Sequence, residues 1–177
     1  MKIKVKEIVL TGLLTAIAIM IPLIMPPVPP FKIIIPPIFT ATLAAHVPLV
    51  IAMFISPFSA VCTALGSSLG FFMYFSDNPT VGARAFMHVF FVVVGAIMLR
   101  KNQNIYLIAI ITMIVHAISE MFVVYLFANV FGFINIGERT MNIVQLIVGS
   151  GTSIHHIVDF TIALIIYKTV VRTKSIL

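Results

Sequence analysis

The sequence is poor in charged residues and in cysteine. Only 9% of its 177 residues are Asp, Glu, Lys or Arg, whereas 61% are apolar. A water-soluble surface needs about a quarter of its residues charged, so a soluble domain is excluded, and disorder is excluded by the apolar content. The single cysteine, Cys62, has no partner within the chain, which rules out a disulfide scaffold. The composition therefore indicates an integral membrane protein.

Two common nucleotide and metal motifs are also absent. The sequence has no Walker A motif and no HExxH motif, so ATP hydrolysis through a P-loop and HExxH-type zinc chemistry are excluded. The net charge of +6 at first suggests a nucleic-acid partner. However, the basic residues flank apolar segments instead of forming a stripe, which is typical of membrane orientation signals. We therefore expect no nucleic-acid partner.

Long apolar runs dominate the chain. A helix needs about 20 apolar residues to cross hydrocarbon that is ~30 Å thick. The six candidate spans, of which the second is short, are Ile8–Met25, Phe39–Phe54, Pro57–Phe75, Pro79–Leu99, Ile105–Phe131 and Met141–Tyr167. The sequence thus predicts an all-α integral membrane protein, a bundle of six transmembrane helices that forms a single domain over residues 1–177.

The distribution of basic residues predicts the orientation of this bundle. With the N-terminus in the cytoplasm, only Lys32 and Arg139 lie outside. The basic residues inside are then Lys2, Lys4, Lys6, Arg100, Lys101, Lys168, Arg172 and Lys174. Cytoplasmic loops carry an excess of Lys and Arg, and an even number of spans returns the chain to the same side. Both termini are therefore predicted to be cytoplasmic.

The connection after the first span is rich in proline. Residues 26–38 read PPVPPFKIIIPPI and carry six prolines. Proline lacks an N–H donor and fixes φ, so this stretch is not expected to be helical. It is also too apolar for an ordinary solvent loop. Two interpretations remain open: a stiff extracellular lid folded back over the bundle, or a proline-rich turn in the headgroup layer.

Ionisable residues occur inside the predicted spans, where they are costly and commonly mark function. Arg84 and His88 are four residues apart, and so are His116 and Glu120. Each pair therefore shares one helix face, which must point into the bundle. With His46 on the second span, these residues lie mainly in the outer half of the bilayer. They predict a polar pocket open to the outside; the alternative is that they pair with one another and only pin the bundle.

The sixth span carries a second polar group, formed by His155, His156 and Asp159. Asp159 follows His155 by four residues and His156 by three, so it can face either. We expect the pairing of Asp159 with His156 to be structural. The group also has residue types that bind zinc. Adjacent side chains on a helix project about 100° apart, so one helix cannot easily aim both histidines at one ion, and we expect no metal.

Charge arithmetic restricts the ligand of this pocket. With neutral histidines, Arg84 against Glu120 and Asp159 gives a net charge of −1. An anionic ligand would require protonated histidines or a neutral acid, whereas a cation would require neither. Charge alone therefore does not favour an anion. Arg84 is nevertheless the one fixed positive charge of the group, and its planar fork suits a carboxylate.

Several segments together resemble a known family. Gly12 and Ala16 form a small-xxx-small pair on the first span, a pattern that lets helices approach closely. With six short spans and an outward-facing pocket under the first loop, the chain is similar over essentially its whole length to the substrate-binding S components of energy-coupling factor (ECF) vitamin transporters. The segments AAHVPLVIAMFISPFSA, RAFMH, HAISE and HHIVDF most resemble the niacin-specific branch.

This resemblance implies a function, a location and partners. An S component of the bacterial cell membrane captures a vitamin from outside with high affinity. It then associates with a membrane T component and two ATP-binding subunits, and it topples to release the vitamin inside. ATP would be used by those subunits, and the chain itself would bind no cofactor and catalyse no reaction. Gly12 and Ala16 match the family's AxxxA contact with the T component, with Gly in place of the first Ala.

The resemblance to the niacin branch also implies a binding site. Arg84 would bind the carboxylate of nicotinate. His88, His116 or His155 would bond the pyridine nitrogen or supply compensating charge, and Phe31 or Phe127 would stack on the ring. The predicted binding set is His46, Arg84, His88, His116, Glu120, His155 and Phe127.

Three other readings compete with this one. The chain could be an S component for another vitamin. It could be a permease for metal ions or other cations that uses the His, Glu and Asp residues, although such a path would be expected to continue into the inner half of the bilayer. An intramembrane enzyme that uses His116 and Glu120 as acid and base lacks an obvious nucleophile.

Overall fold

The structure is a computed structural model that describes residues 4–36, 38–134 and 140–172. Its helices are α1 (Val5–Ile24), α2 (Val47–Ile55), α3 (Pro57–Tyr74), α4 (Pro79–Phe86), α5 (His88–Arg100), α6 (Ile105–Asn129), α7 (Thr140–Ile143) and α8 (Ser150–Arg172). A π-helical segment, Val144–Gly149, joins α7 to α8, and a hairpin of β1 (Lys32–Ile35) and β2 (Phe39–Thr42) precedes α2. The predominantly helical architecture is confirmed, with one hairpin that the sequence did not predict.

The membrane character of the chain is confirmed by its helices. Within the described residues, four helical stretches are long and apolar enough to cross a membrane: Val5–Ile24, Pro79–Arg100, Ile105–Asn129 and Val144–Val170. They correspond to the first, fourth, fifth and sixth predicted spans. The six-span count and the cytoplasmic termini stay predictions. Of the basic residues that support the orientation, Lys2, Arg139 and Lys174 lie outside the described residues.

The prediction that a helix begins at Phe39 is wrong. Residues Phe39–Thr42 form β2 and pair antiparallel with β1, Ile35 opposite Phe39 and Lys32 opposite Thr42. Helix α2 starts only at Val47, with a proline in its first turn, where the missing N–H costs nothing. Its nine residues span about 14 Å, too little to cross a bilayer alone. Apolar content could not separate this buried strand from a helix.

The proline-rich connection is non-helical, as predicted, and it is anchored to the bundle. Lys32, at the start of β1, is only 1% exposed. Its Nζ donates to the carbonyl of Pro22 at 3.0 Å and lies 3.4 Å from the centroid of the Tyr74 ring. Lys32 therefore ties the hairpin to the ends of α1 and α3, whereas the sequence placed it as an ordinary basic residue of an outer loop.

Helix α1 packs closely along α3. The hydroxyls of Thr11 and Ser59 are 2.6 Å apart across this contact. At Gly70, an added Cβ would meet the backbone of Ile19, with the Ile19 Cα at 2.9 Å. The two backbones can approach this closely only because Gly70 has no side chain. Gly12, in contrast, faces open space and has no atom within 4 Å of an added Cβ.

The buried polar residues lie between an apolar core and the hairpin. The core is formed by side chains of α2, α3, α5, α6 and α8, among them Leu49, Phe91 and Phe160. On the other side, Phe39 of β2 packs against α6 and the π-helical segment. An added Cβ at Gly151 would lie 2.5 Å from the Phe39 ring, so this glycine lets the hairpin approach α8.

The close α1–α3 contact yields a test. We expect Gly70→Ala to lower the free energy of unfolding by about 1–3 kcal/mol, because backbone atoms of Ile19 cannot move aside as a flexible side chain would. The loss of stability is measured as a lower melting temperature in thermal unfolding of the purified chain in detergent. Gly12→Ala on the open side of α1 is the matched control and should leave the melting temperature unchanged or slightly raised. Equal melting temperatures of the two variants would contradict the packing.

Candidate functional site

A buried ion pair joins α4 to α6. Arg84 Nη2 donates to Glu120 Oε2 at 2.6 Å, and Nε donates to the same oxygen at 3.3 Å. Two further donors of Arg84 bond the carbonyls of Ile38 and Thr40, each at 3.3 Å. The hydroxyl of Thr152 on α8 donates to Glu120 Oε2 at 2.6 Å. This single pair thus connects α4, α6, α8 and the hairpin.

The other oxygen of Glu120 faces a layer of histidines. Oε1 lies 3.5 Å from His88 Nε2 and 3.3 Å from His116 Nε2. His46 completes the layer, because its Nε2 lies 3.3 Å from His88 Nε2. The ring of His46 also lies 4.5 Å, centroid to centroid, from that of His155 on α8. The polar residues predicted on separate helices therefore meet at one buried point.

A series of hydrogen-bonded side chains lies behind His116. His116 Nδ1 is 3.1 Å from His156 Nδ1, and His156 Nε2 is 3.1 Å from the hydroxyl of Thr112. That hydroxyl donates to the carbonyl of Ile108 at 2.7 Å. The binding set predicted from the sequence did not include Thr112, Thr152 or His156. Helical spacing could have found them, since Thr112 precedes His116 by four residues, and Thr152 precedes His156 by four.

Asp159 holds the short segment that precedes α2 by accepting backbone hydrogen bonds from it. Its Oδ1 accepts the amide of Ala44 at 2.8 Å, and Oδ2 accepts the amide of His46 at 3.0 Å. His155 Nε2 lies 3.6 Å from Oδ2. His46 Nδ1 is 3.1 Å from the same oxygen, at an angle too bent for a regular hydrogen bond. The expected pairing of Asp159 with His156 is therefore wrong, because His156 turns towards α6 instead.

A small cavity lies between the hairpin and the histidine layer. Its volume is about 20 Å³, which is enough for about one water molecule. The predicted residues that line it are His46, Arg84, His88, Glu120 and His155. The hairpin contributes Thr40 and Thr42 to its wall. His116 lies just behind this wall, against Glu120.

Other predicted residues lie away from this cavity. Phe127 packs on Phe131 and Phe133, with ring centroids 5.5 and 5.7 Å apart, so the structure does not bring it to the cluster. Phe31 precedes β1 and is 42% exposed. Gly12 and Ala16 are exposed on α1. These two small residues thus form part of the outer surface, and their contact with a partner helix stays a prediction.

One curated protein shows clear similarity to this chain. The niacin transporter NiaX of Lactococcus lactis subsp. cremoris (strain MG1363) is 39% identical to it over 170 residues. The match covers 92% of this chain and 73% of that protein. No protein-family model matches the sequence. No solved structure matches it either.

Proposed function

The chain belongs to the niacin-specific branch of the S components of ECF vitamin transporters, and from this premise we propose that it is the high-affinity niacin-binding subunit of an ECF-type importer. It is a multi-pass protein of the bacterial membrane. In this role it binds and delivers the vitamin and catalyses no reaction itself.

One observation carries the proposed site: the cavity beneath the hairpin is lined by an arginine, a carboxylate and imidazoles. Nicotinate needs donors for its carboxylate and one donor for its pyridine nitrogen. Among the described residues, Arg84 uses four of its N–H groups on Glu120, Ile38 and Thr40. Because a guanidinium has five N–H donors, one on Nη1 is available for the carboxylate. His88 and His155 both line the cavity, and an imidazole N–H of one of them would bond the ring nitrogen.

Binding requires the hairpin to shift. A cavity of about 20 Å³ is far smaller than a pyridine ring with a carboxylate. The carbonyls of Ile38 and Thr40 occupy donors of Arg84, and a ligand carboxylate would replace them. The hairpin is thus the lid in this proposal, and the structure corresponds to its closed position.

Delivery would depend on α1. Gly12 and Ala16 are exposed on one side of this helix, and Gly12 faces open space. Small residues let a partner helix approach the backbone closely. We assign this surface to the T component, which would connect the chain to two ATP-binding subunits; those subunits use the ATP, and the chain topples against the T component to release the vitamin.

Calorimetric titration of the purified chain tests the ligand. We expect saturable binding of nicotinate and no comparable binding of riboflavin or thiamine, with nicotinamide compared alongside. Arg84→Lys should weaken nicotinate binding about 10- to 100-fold, because the loss of a charged hydrogen bond costs about 1.5–3 kcal/mol. Arg100→Lys at the far end of α5 is the matched control and should bind as the wild type does. Tighter binding of another vitamin would overturn the niacin assignment.

Co-purification with a T component tests the docking surface. Gly12→Leu should reduce the amount of complex at least several-fold, because a branched side chain blocks the close approach of helices. Nicotinate binding by the isolated variant should remain unchanged, since α1 does not line the cavity. Ile118→Phe, at another exposed position, on α6, is the control for added bulk on the outer surface. Normal complex formation by Gly12→Leu would refute the assignment of this surface to the T component.

A further inference from the structure

Neighbouring donor atoms of four side chains in the cluster lie about as far apart as two ligands of one metal ion do. His46 Nε2 lies 3.3 Å from His88 Nε2, His88 Nε2 lies 3.5 Å from Glu120 Oε1, and Glu120 Oε1 lies 3.3 Å from His116 Nε2. Ligand atoms at about 2.0–2.1 Å from a tetrahedral metal ion are about 3.3 Å apart. One ligand atom from each of the three histidines falls within 4.8 Å of the others.

The hydrogen bonds behind His116 determine where its proton lies. The carbonyl of Ile108, at 2.7 Å, is the nearest acceptor for the Thr112 hydroxyl; with the hydroxyl proton assigned to it, the Thr112 oxygen accepts from His156 Nε2. His156 Nδ1 then carries the lone pair and accepts from His116 Nδ1. Neutral His116 is therefore left with a lone pair on Nε2, and this lone pair faces the carboxylate of Glu120.

Such an arrangement needs a cation between the donor atoms. His116 Nε2 makes no hydrogen bond within the described part of the chain. A lone pair and a carboxylate oxygen 3.3 Å apart repel each other unless a proton or a metal ion lies between them. His46 differs from His116, because its Nε2 lies within hydrogen-bond distance of His88 Nε2 and its Nδ1, 3.1 Å from Asp159 Oδ2, makes no regular hydrogen bond within the described residues.

The groups behind His116 and Glu120 are of the kind found behind metal ligands. A histidine that binds metal usually has a carboxylate, a carbonyl or another acceptor at its second nitrogen, and ligating carboxylates are themselves hydrogen-bonded. His156 lies within hydrogen-bond distance of His116 Nδ1, and Asp159 Oδ2 lies 3.1 Å from His46 Nδ1; His88 Nδ1 has no hydrogen-bond partner within the described residues. The second oxygen of Glu120 is held by Arg84 and Thr152, as described above.

We propose that His46, His88, His116 and Glu120 bind a divalent first-row transition metal ion, for which Zn²⁺ and Co²⁺ are the probes. Three imidazoles and one carboxylate are ligands that suit these ions. The ligands come from three parts of the fold: the residue before α2, the first residue of α5, and two successive turns of α6. The alternative group of His46, His155 and Asp159 is less suited, because both oxygens of Asp159 already accept backbone amides.

The ion would also resolve the charge balance of the site; this step rests on the proposed function. Arg84, Glu120 and Asp159 sum to −1 with neutral histidines. A divalent ion raises the sum to +1, and one nicotinate anion then brings it to zero. His46, His88 and Glu120 border the cavity, so the ion would face the space where the ligand carboxylate enters.

Metal titration of the purified full chain tests the site without any vitamin. After removal of metal with a chelator, we expect one Zn²⁺ per chain by calorimetry, and Co²⁺ should give the intense visible absorption of a four-coordinate ion that Zn²⁺ abolishes. His88→Ala and Glu120→Gln should each weaken Zn²⁺ binding about 100-fold or more. His156→Ala, behind a ligand, should weaken it about 10- to 100-fold. Absence of stoichiometric binding by the wild type would overturn the proposal.

His155→Ala is the matched control, because His155 lines the same cavity but is not one of the four ligands. It should bind Zn²⁺ like the wild type. Loss of metal in His155→Ala together with normal binding by His88→Ala would overturn the ligand set. Nicotinate titration of the metal-free and Zn²⁺-loaded chain separates the two proposals: at least 10-fold tighter binding with Zn²⁺ is expected. Equal binding refutes the charge role of the ion, whereas absent binding in both forms refutes the niacin site instead.

Discussion

The structure depends on the buried pair of Arg84 and Glu120. Two charges removed from water are stabilising only when their geometry is good and further hydrogen bonds satisfy the remaining donors and acceptors. Here the carbonyls of Ile38 and Thr40 and the hydroxyl of Thr152 provide these bonds. The requirement to satisfy one ion pair thus fixes α4, α6, α8 and the hairpin relative to one another.

The same carboxylate serves the scaffold and the site. One oxygen of Glu120 holds Arg84, and the other faces His88 and His116. In the proposed site, a ligand that takes more than the one available N–H of Arg84 would compete with the hairpin carbonyls, and a cation at Glu120 would bind beside the ion pair. In the proposed function, ligand binding, closure of the hairpin and stability of the bundle would be linked through these few atoms, in a buried region where electrostatic interactions are stronger than in water.

Much of the cluster was predictable, because spacing on a helix is local information. Arg84, His88, His116 and Glu120 fall on shared faces, and only an inward direction is tolerable in lipid. The hairpin was not predictable, since apolar content is the same for a strand and a helix. Neither was the role of Asp159, whose partners are backbone amides 113 and 115 residues away. Spacing along one helix argues against a metal ion at His155 and His156, whereas the proposed metal ligands converge from distant segments.

A double-mutant cycle on Arg84→Met and Glu120→Met tests the central claim most directly. Unfolding free energies of the wild type, both single variants and the double variant would be measured in one detergent. Each single change leaves a buried charge without its partner and should cost about 3–5 kcal/mol. We predict that the double variant loses about 2–3 kcal/mol less than the sum of the single losses. Additivity within about 0.5 kcal/mol would show that the two residues do not act as a pair, which contradicts the account.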